Sequence, residues 1–259
     1  MMGMGVMPFG GEGENRKEAP QAGYGEISVA VRATETGGAF AGDVVGVGPG
    51  VKGLGPGDRV VVEARVPCGS CPMCRAGLAN HCADSETLIA LTDIVQVPKQ
   101  AAWVLPSALS YEEGCAAGLV AEALHGVMKI GAGVGNRVAV WGSGRLADSV
   151  EELLRLTGAA VDRVPLDSSI MLPVVHSVDQ YYDGVVLCDG TSPADAVLVS
   201  RPGGRLLLLG RDASSSGPPR YAASDWLPSA IEREISILTS LGYVHEFGDA
   251  LDLLARRKG

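Results

Sequence analysis

Hydrophobic and polar positions alternate over residues 25–35, GEISVAVRATE, which predicts a half-buried strand. From Ala41 to Arg65 the chain reads AGDVVGVGPGVKGLGPGDRVVVEAR. Two Val-rich runs are split there by Gly- and Pro-punctuated turns, a pattern of β-barrel material with short connections. A further strand is expected around DIVQVP, and then a helix opened by Ser110, whose spacing to Glu113 makes an S-x-x-E capping box.

From about Asn136 the pattern changes. RVAVWGSG reads as a buried strand running into glycines, and RLADSVEELLRLTGA as an amphipathic helix. Leu146, Val150, Leu153 and Leu154 share one face of that helix, and Gly158 ends it. DGVVLCDG and GGRLLLLG are apolar strands, with SPADAVLVSRP as a helix between them. Strands and helices alternating at this spacing imply a parallel sheet with crossover helices. The expected organisation is a flexible lead-in over residues 1–20, an all-β module over 21–130 and an α/β module over 131–259. No repeat of solenoid type is visible.

Composition narrows the partners. Aromatic residues make up only 5% of the chain, against a protein that reads bases by stacking. A net charge of −9 and a pI near 4.9 disfavour nucleic acid and anionic membranes, although backbone amides at a helix N-terminus can still hold a phosphate. No apolar run approaches the roughly 20 residues that span a bilayer. The opening MMGMGVMPFGGEGENRKEAP lacks the basic start and apolar core of a secretory signal. A cytoplasmic protein is expected.

Four of the six cysteines lie in PCGSCPMCRAGLANHC as Cys68, Cys71, Cys74 and Cys82, spaced C-x2-C-x2-C-x7-C. Thiolates two residues apart on a tight turn can converge on one metal, and a fourth from the returning loop completes a tetrahedron. Gly69 and Gly77 give the backbone room to turn, and Arg75 can offset thiolate charge. Disulfides are disfavoured by a cytoplasmic setting, whereas an iron–sulfur cluster is chemically compatible. The ligand rules favour a structural zinc, with no position left open for substrate. His81, beside Cys82, is read as a solvated loop histidine.

The stretch GDRVVVEARVPCGSCPMCRAGLANHC resembles the structural-zinc lobe of zinc-type medium-chain alcohol dehydrogenases. The likeness continues through VPKQAAWVLPSALSYEEGCAA, GNRVAVWGSG, RPGGRLLLLG and EISILTSLGYVHEFGDALDLLARRKG. Ending after DALDLLARRKG, the chain is also similar to the short branch linked to phosphonate catabolism. The resemblance implies a GroES-like β-barrel domain followed by a Rossmann-type parallel-sheet domain. It further implies hydride transfer between an alcohol or polyol carbon and NAD or NADP, with a catalytic zinc polarising the oxygen. Relatives often pair through an edge strand of the nucleotide domain, and RLLLLG with EREISILTSLGY could supply one for a homodimer.

Gly142, Gly144 and Ala147 stand as G-x-G-x-x-A between a predicted strand and a predicted helix. The first glycine permits the turn, the second lets pyrophosphate approach, and the small third residue lets helix and strand pack. Asp167 is the candidate for the ribose and Asp162 the runner-up; a solvated carboxylate suits either equally. From Asp167 to Tyr181 the chain is short for the helix and strand that would complete the adenosine side.

The catalytic positions depart from the family. Where it has a cysteine-bearing loop and then Gly-His-Glu, this chain reads VRATETGGAFAGDVV, with Gly37 or Gly38 at the His position and Ala39 at the Glu position. Cys115 in EEGCAAG is a weak candidate remnant ligand, read first as a buried helix residue, and one thiolate cannot make a three-ligand site. Cys188 and His125 read as packed residues, and His176 and His245 sit in uninformative contexts. Nothing in spacing supports Tyr24, Tyr111 or Glu122 as a replacement acid. The chain thus looks abridged at the front loop, in the nucleotide domain and at its end. Two functions are expected in order: an NAD(P)-dependent oxidoreductase on a small alcohol or carbonyl with a degraded catalytic zinc site, or a non-catalytic relative acting as a binding or scaffold protein.

Overall fold

The computed structural model describes residues 21–35, 38–164, 181–188, 193–209 and 226–258. They divide into two compact units, one running to Gly118 and resuming at Val244, the other Leu119–Tyr243. The closing segment therefore counts with the first unit.

In the first unit, strands β1 (Glu26–Thr34), β2 (Phe40–Val47), β3 (Arg59–Val62), β6 (Ile94–Pro98) and β7 (Ala102–Val104) form an antiparallel sheet in the order β6-β1-β2-β3-β7. Register shifts after Ser28 and after Val31 break the β1–β2 ladder twice, and such bulges bend a strand and raise its twist. The alternation read in the sequence is what lets the sheet bury one face. Ile27, Val29, Phe40, Val44, Val60, Val62 and Val97 form a common core. Full burial of one such side chain contributes roughly 1.5–3 kcal/mol.

A two-stranded ribbon, β4 (Arg65–Val66) with β5 (Glu86–Thr87), forms the base of the cysteine lobe, which also holds the short helix α1 (Pro72–Arg75). Helix α2 (Tyr111–Cys115) opens with the expected box: Glu113 N donates to Ser110 Oγ at 3.2 Å, and Ser110 N to the Glu113 carboxylate at 2.8 Å. Helix α3 (Ala117–Ile130) follows, and the division between the units falls inside it.

The second unit is built on β8 (Arg137–Trp141), β9 (Ala160–Val164), β10 (Tyr182–Leu187), β11 (Ser200–Leu209) and β12 (Ser236–Ser240), in the order β12-β11-β10-β8-β9 with every pairing parallel. Helices α4 (Gly144–Leu156), α5 (Pro193–Val199) and α6 (Leu227–Glu232) lie in the connections. Of the expected face of α4, Val150, Leu153 and Leu154 are buried with Ala147. Gly158, at φ +85°, closes the turn that follows. Helix α5 stops at Val199, short of the SPADAVLVSRP segment, because Pro202 cannot donate to a helix and β11 already begins at Ser200. Helix α7 (Phe247–Arg256) buries Phe247, Ala250 and Leu251 and belongs to the first unit. Among the described residues no helix is long and apolar enough to cross a membrane.

Candidate functional sites

The cysteine lobe brings its four thiols together. The sulfur atoms of Cys68, Cys71, Cys74 and Cys82 all lie within 4.8 Å of one another, the only such group of metal-binding side chains among the described residues. Cys71 and Cys82 have their sulfurs 3.9 Å apart. A disulfide would need about 2.05 Å. A tetrahedron with Zn–S near 2.3 Å separates its sulfurs by about 3.8 Å, so the spacing fits one ion.

Local structure explains the convergence. Cys71 caps α1, its sulfur accepting from Cys74 N at 3.5 Å, and Pro72 starts the helix where its missing N–H costs nothing. Cys68 Sγ accepts from Cys71 N at 3.4 Å, and Cys82 Sγ from Cys68 N at 3.4 Å. Gly69 and Gly77 take the left-handed conformations expected of them, at φ +73° and +75°.

Backbone N–H groups of Ser70 and Cys71 pull the exposed Cys68 thiol down to about 6, while loss of hydration, then bonding to the Cys71 thiol, pushes Cys74 up to about 12. A bound dication would hold all four as thiolates and displace the protons that remain. Arg65 donates to the Cys82 carbonyl at 3.2 Å and to Ser85 Oγ at 3.1 Å, tying the returning loop to the stem. Cysteine spacing gives no hint of that role. His81 is exposed and stands outside the sulfur cluster.

In the second unit, β8 runs through Gly142 into α4. Gly142 and Gly144 have φ of +128° and +81°, values that L side chains rarely adopt, and a Cβ on Gly144 would meet nothing within 4 Å. Ala147 is fully buried where helix meets strand. Among the described residues the chain is thus open at Gly144 and tightly packed at Ala147. The first turn of α4 holds no acidic residue and carries Arg145. Further along, Asp148 and Glu151 are bridged by Arg163 at 3.2 and 3.4 Å. Arg163 also donates to the Gly142 carbonyl at 2.9 Å, fixing the turn from β9. Only the fold brings Arg163, 21 residues on, beneath the glycines.

Asp167 lies outside the described residues, as does His176. Asp162 sits within β9 opposite Ala139, accepting from Arg137 at 2.6 Å and from the Tyr182 hydroxyl at 3.1 Å. Two donors therefore already occupy the runner-up for the ribose.

The remaining candidates do not gather. Where β1 gives way to β2, Glu35 N donates to Ala39 O and Gly38 N to Glu35 O, both at 3.0 Å. Cys115 is buried, with its thiol on the Ala33 carbonyl at 3.6 Å. The Tyr111 hydroxyl donates to Asp43 under the Arg59 guanidinium, and desolvation first, then Asp43, raises its pKa. Tyr24 is exposed, and Cys188 is buried directly after β10.

Residues 15–107 match the alcohol dehydrogenase GroES-like domain. The chain is similar to the uncharacterized zinc-type alcohol dehydrogenase-like protein YdjJ of Escherichia coli, with 31% identity over 46% of this chain and 36% of that protein. It is 23% identical to the sorbitol dehydrogenase of Bacillus subtilis over 83% of this chain and 68% of the enzyme. The chain thus spans about a third of the first relative's length and about two thirds of the second's. Among solved structures it is similar to a protein described as a zinc-binding dehydrogenase of Sinorhizobium meliloti, bound to NADP. The TM-score is 0.77 at 23% identity, covering 93% of this chain and 84% of that one. The expected pairing of a GroES-like domain with a Rossmann-type parallel sheet is therefore present, and the resemblance to zinc-type alcohol dehydrogenases holds.

Proposed function

We propose that this chain, whose residues 15–107 belong to the alcohol dehydrogenase GroES-like family, is an NAD(P)-binding oxidoreductase of the zinc-type class whose substrate is a small alcohol or carbonyl. The observation carrying the reading is the glycine turn at the carboxyl end of β8, open at Gly144 and opening α4. In open α/β sheets ligands bind outside the carboxyl ends of the strands.

Cys68, Cys71, Cys74 and Cys82 would hold a structural zinc as a cross-link, with all four positions filled by protein. A bound dinucleotide would supply the group that accepts or donates hydride. Gly144 leaves room for its pyrophosphate, and the N–H groups and positive dipole end of α4 would orient it, with Arg145 adding charge. Arg163 neutralises Asp148 and Glu151, two carboxylates that would oppose the phosphates.

A second reading, a non-catalytic relative acting as a binding or scaffold protein, is favoured by the bonds that tie Glu35 to Gly38 and Ala39 and by Cys115 facing Ala33 O. No side chains among the described residues gather there to hold a second metal, and an alkoxide would need some stabiliser. A nucleotide-dependent oxidation assay on small polyols separates the two readings, since only the first produces NAD(P)H.

Both readings can share the nucleotide site, which Ala147→Leu tests. Ala147 is fully buried, so a larger side chain must push α4 from β8 and displace the turn. We expect NADH and NADPH affinity, read by fluorescence titration, to fall at least about tenfold while zinc content stays unchanged. Unaltered affinity would remove the glycine turn from the account.

A further inference from the structure

We propose that the cysteine quartet is a peroxide-responsive site, at which hydrogen peroxide joins Cys68 to Cys82 as a disulfide and the metal is released. The inference rests on the zinc reading of the same four residues. Unequal exposure, the spacing of the sulfurs and the way the backbone presents them carry it.

The four ligands are not equivalent. Cys68 is exposed, Cys71 and Cys74 are half-buried, and Cys82 is buried. Of the four, Cys68 alone lines the cavity of about 420 Å³ beside the cysteine lobe. A small solute therefore meets the quartet first at Cys68. Oxidation of a thiolate is favoured by exposure and by a resolving cysteine close by. Cys82 meets the second condition. Its sulfur lies within 4.8 Å of the Cys68 sulfur and accepts from the Cys68 amide at 3.4 Å. It thus rests against the backbone of the residue it would join, and burial makes it the resolving partner rather than the first target. Cys71 is committed elsewhere, because its sulfur caps α1 by accepting from Cys74 N at 3.5 Å.

The chemistry balances with peroxide as the oxidant. The Cys68 thiolate attacks one peroxide oxygen, an S–O bond forms, the O–O bond breaks and hydroxide leaves, giving a sulfenic acid. The Cys82 thiolate attacks that sulfur, an S–S bond forms, the S–O bond breaks and a second hydroxide leaves. The sulfur pair loses two electrons, the two peroxide oxygens gain them, and solvent protonates both hydroxides. Cys71 and Cys74 remain, two thiolates on one short helix where a structural zinc takes four ligands, and such a pair does not retain it. The disulfide then closes the segment from Gly69 to His81 that the metal had closed, so the lobe keeps a cross-link.

The test loads the full chain with zinc, adds limiting hydrogen peroxide, and follows zinc with a chromogenic chelator and thiols after denaturation. About one zinc should be released and about two of the six thiols lost per peroxide consumed. Trypsin cuts after Arg65, Arg75 and Lys99, so the disulfide should join peptide 66–75 to peptide 76–99. Dimedone, which traps sulfenic acids, should label Cys68 and prevent the cross-link. The double variant Cys115→Ala/Cys188→Ala, altered only outside the quartet, should release zinc as the parent does. Dithiothreitol with added zinc should restore metal and thiols. Zinc retained at about tenfold molar excess of peroxide overturns the proposal, as does a disulfide or label that leaves out Cys68. So does loss of release in the double variant, or oxidation that dithiothreitol fails to reverse. A chain that takes up no zinc before peroxide is added overturns the zinc reading itself, and the proposal with it.

Discussion

Replacing Cys82 with serine is expected to empty the cysteine lobe of metal and to cause the largest stability loss of any single cysteine change. Cys82 is the buried member of the quartet, and its sulfur both faces Cys71 and accepts from the Cys68 amide. Serine offers a harder, less acidic ligand, so the tetrahedron opens and the loop from Gly69 to Cys82 loses its cross-link. Loss of a structural metal is among the few single changes worth more than about 3 kcal/mol. Metal analysis should fall from one zinc per chain to none, with a lower unfolding midpoint, and dialysis of the parent against a chelator should reproduce the loss. Cys188→Ala, in the second unit, should keep the metal. A Cys82→Ser protein with a full zinc complement would refute the quartet.

The second large effect is expected at Gly42, opposite Val31 in the β1–β2 ladder. A Cβ there would sit 2.0 Å from the Ala30 carbonyl oxygen and 2.8 Å from its carbon. Backbone must move, in the strand pair that carries Ile27, Val29, Phe40 and Val44 of the core. Gly42→Ala should therefore cost roughly 3 kcal/mol or more in denaturant unfolding. Gly46 lies four residues along the same strand, yet its Cβ would meet Ser28 at an ordinary 3.6 Å. Gly46→Ala should be nearly neutral, and equal costs at the two positions would contradict the register.

These two sites differ in how far sequence alone reveals them. The quartet was legible because metal ligands obey a spacing rule, and C-x2-C-x2-C brings thiols to one side of a tight turn whatever lies around them. Strands β1, β2, β3, β6, β8, β10 and β11 were legible from alternation or from apolar runs, and α4 from its apolar face and from Gly158, whereas β4, β5, β7 and β9 are too short or too mixed in polarity to stand out. Arg65 and Arg163 were not, because each acts on a residue 17 or 21 positions away through contacts that exist only after folding. Gly42 looks like any other glycine until its neighbour strand is placed. Helix α7 shows the same limit: its amphipathic pattern announces a buried face but not which core receives Phe247, Ala250 and Leu251. Asp162 illustrates the converse, since a carboxylate near the expected position is already held by Arg137 and Tyr182.

The central claim is a chain that keeps a structural zinc and a nucleotide turn but lacks a catalytic zinc. The most direct test is zinc per chain on the purified protein, with NADH and NADPH titrated on the same sample. One zinc with saturable nucleotide binding is the predicted result. Two zincs per chain would contradict it, because among the described residues no second group of metal-binding side chains gathers, and Cys115 alone supplies a single thiolate.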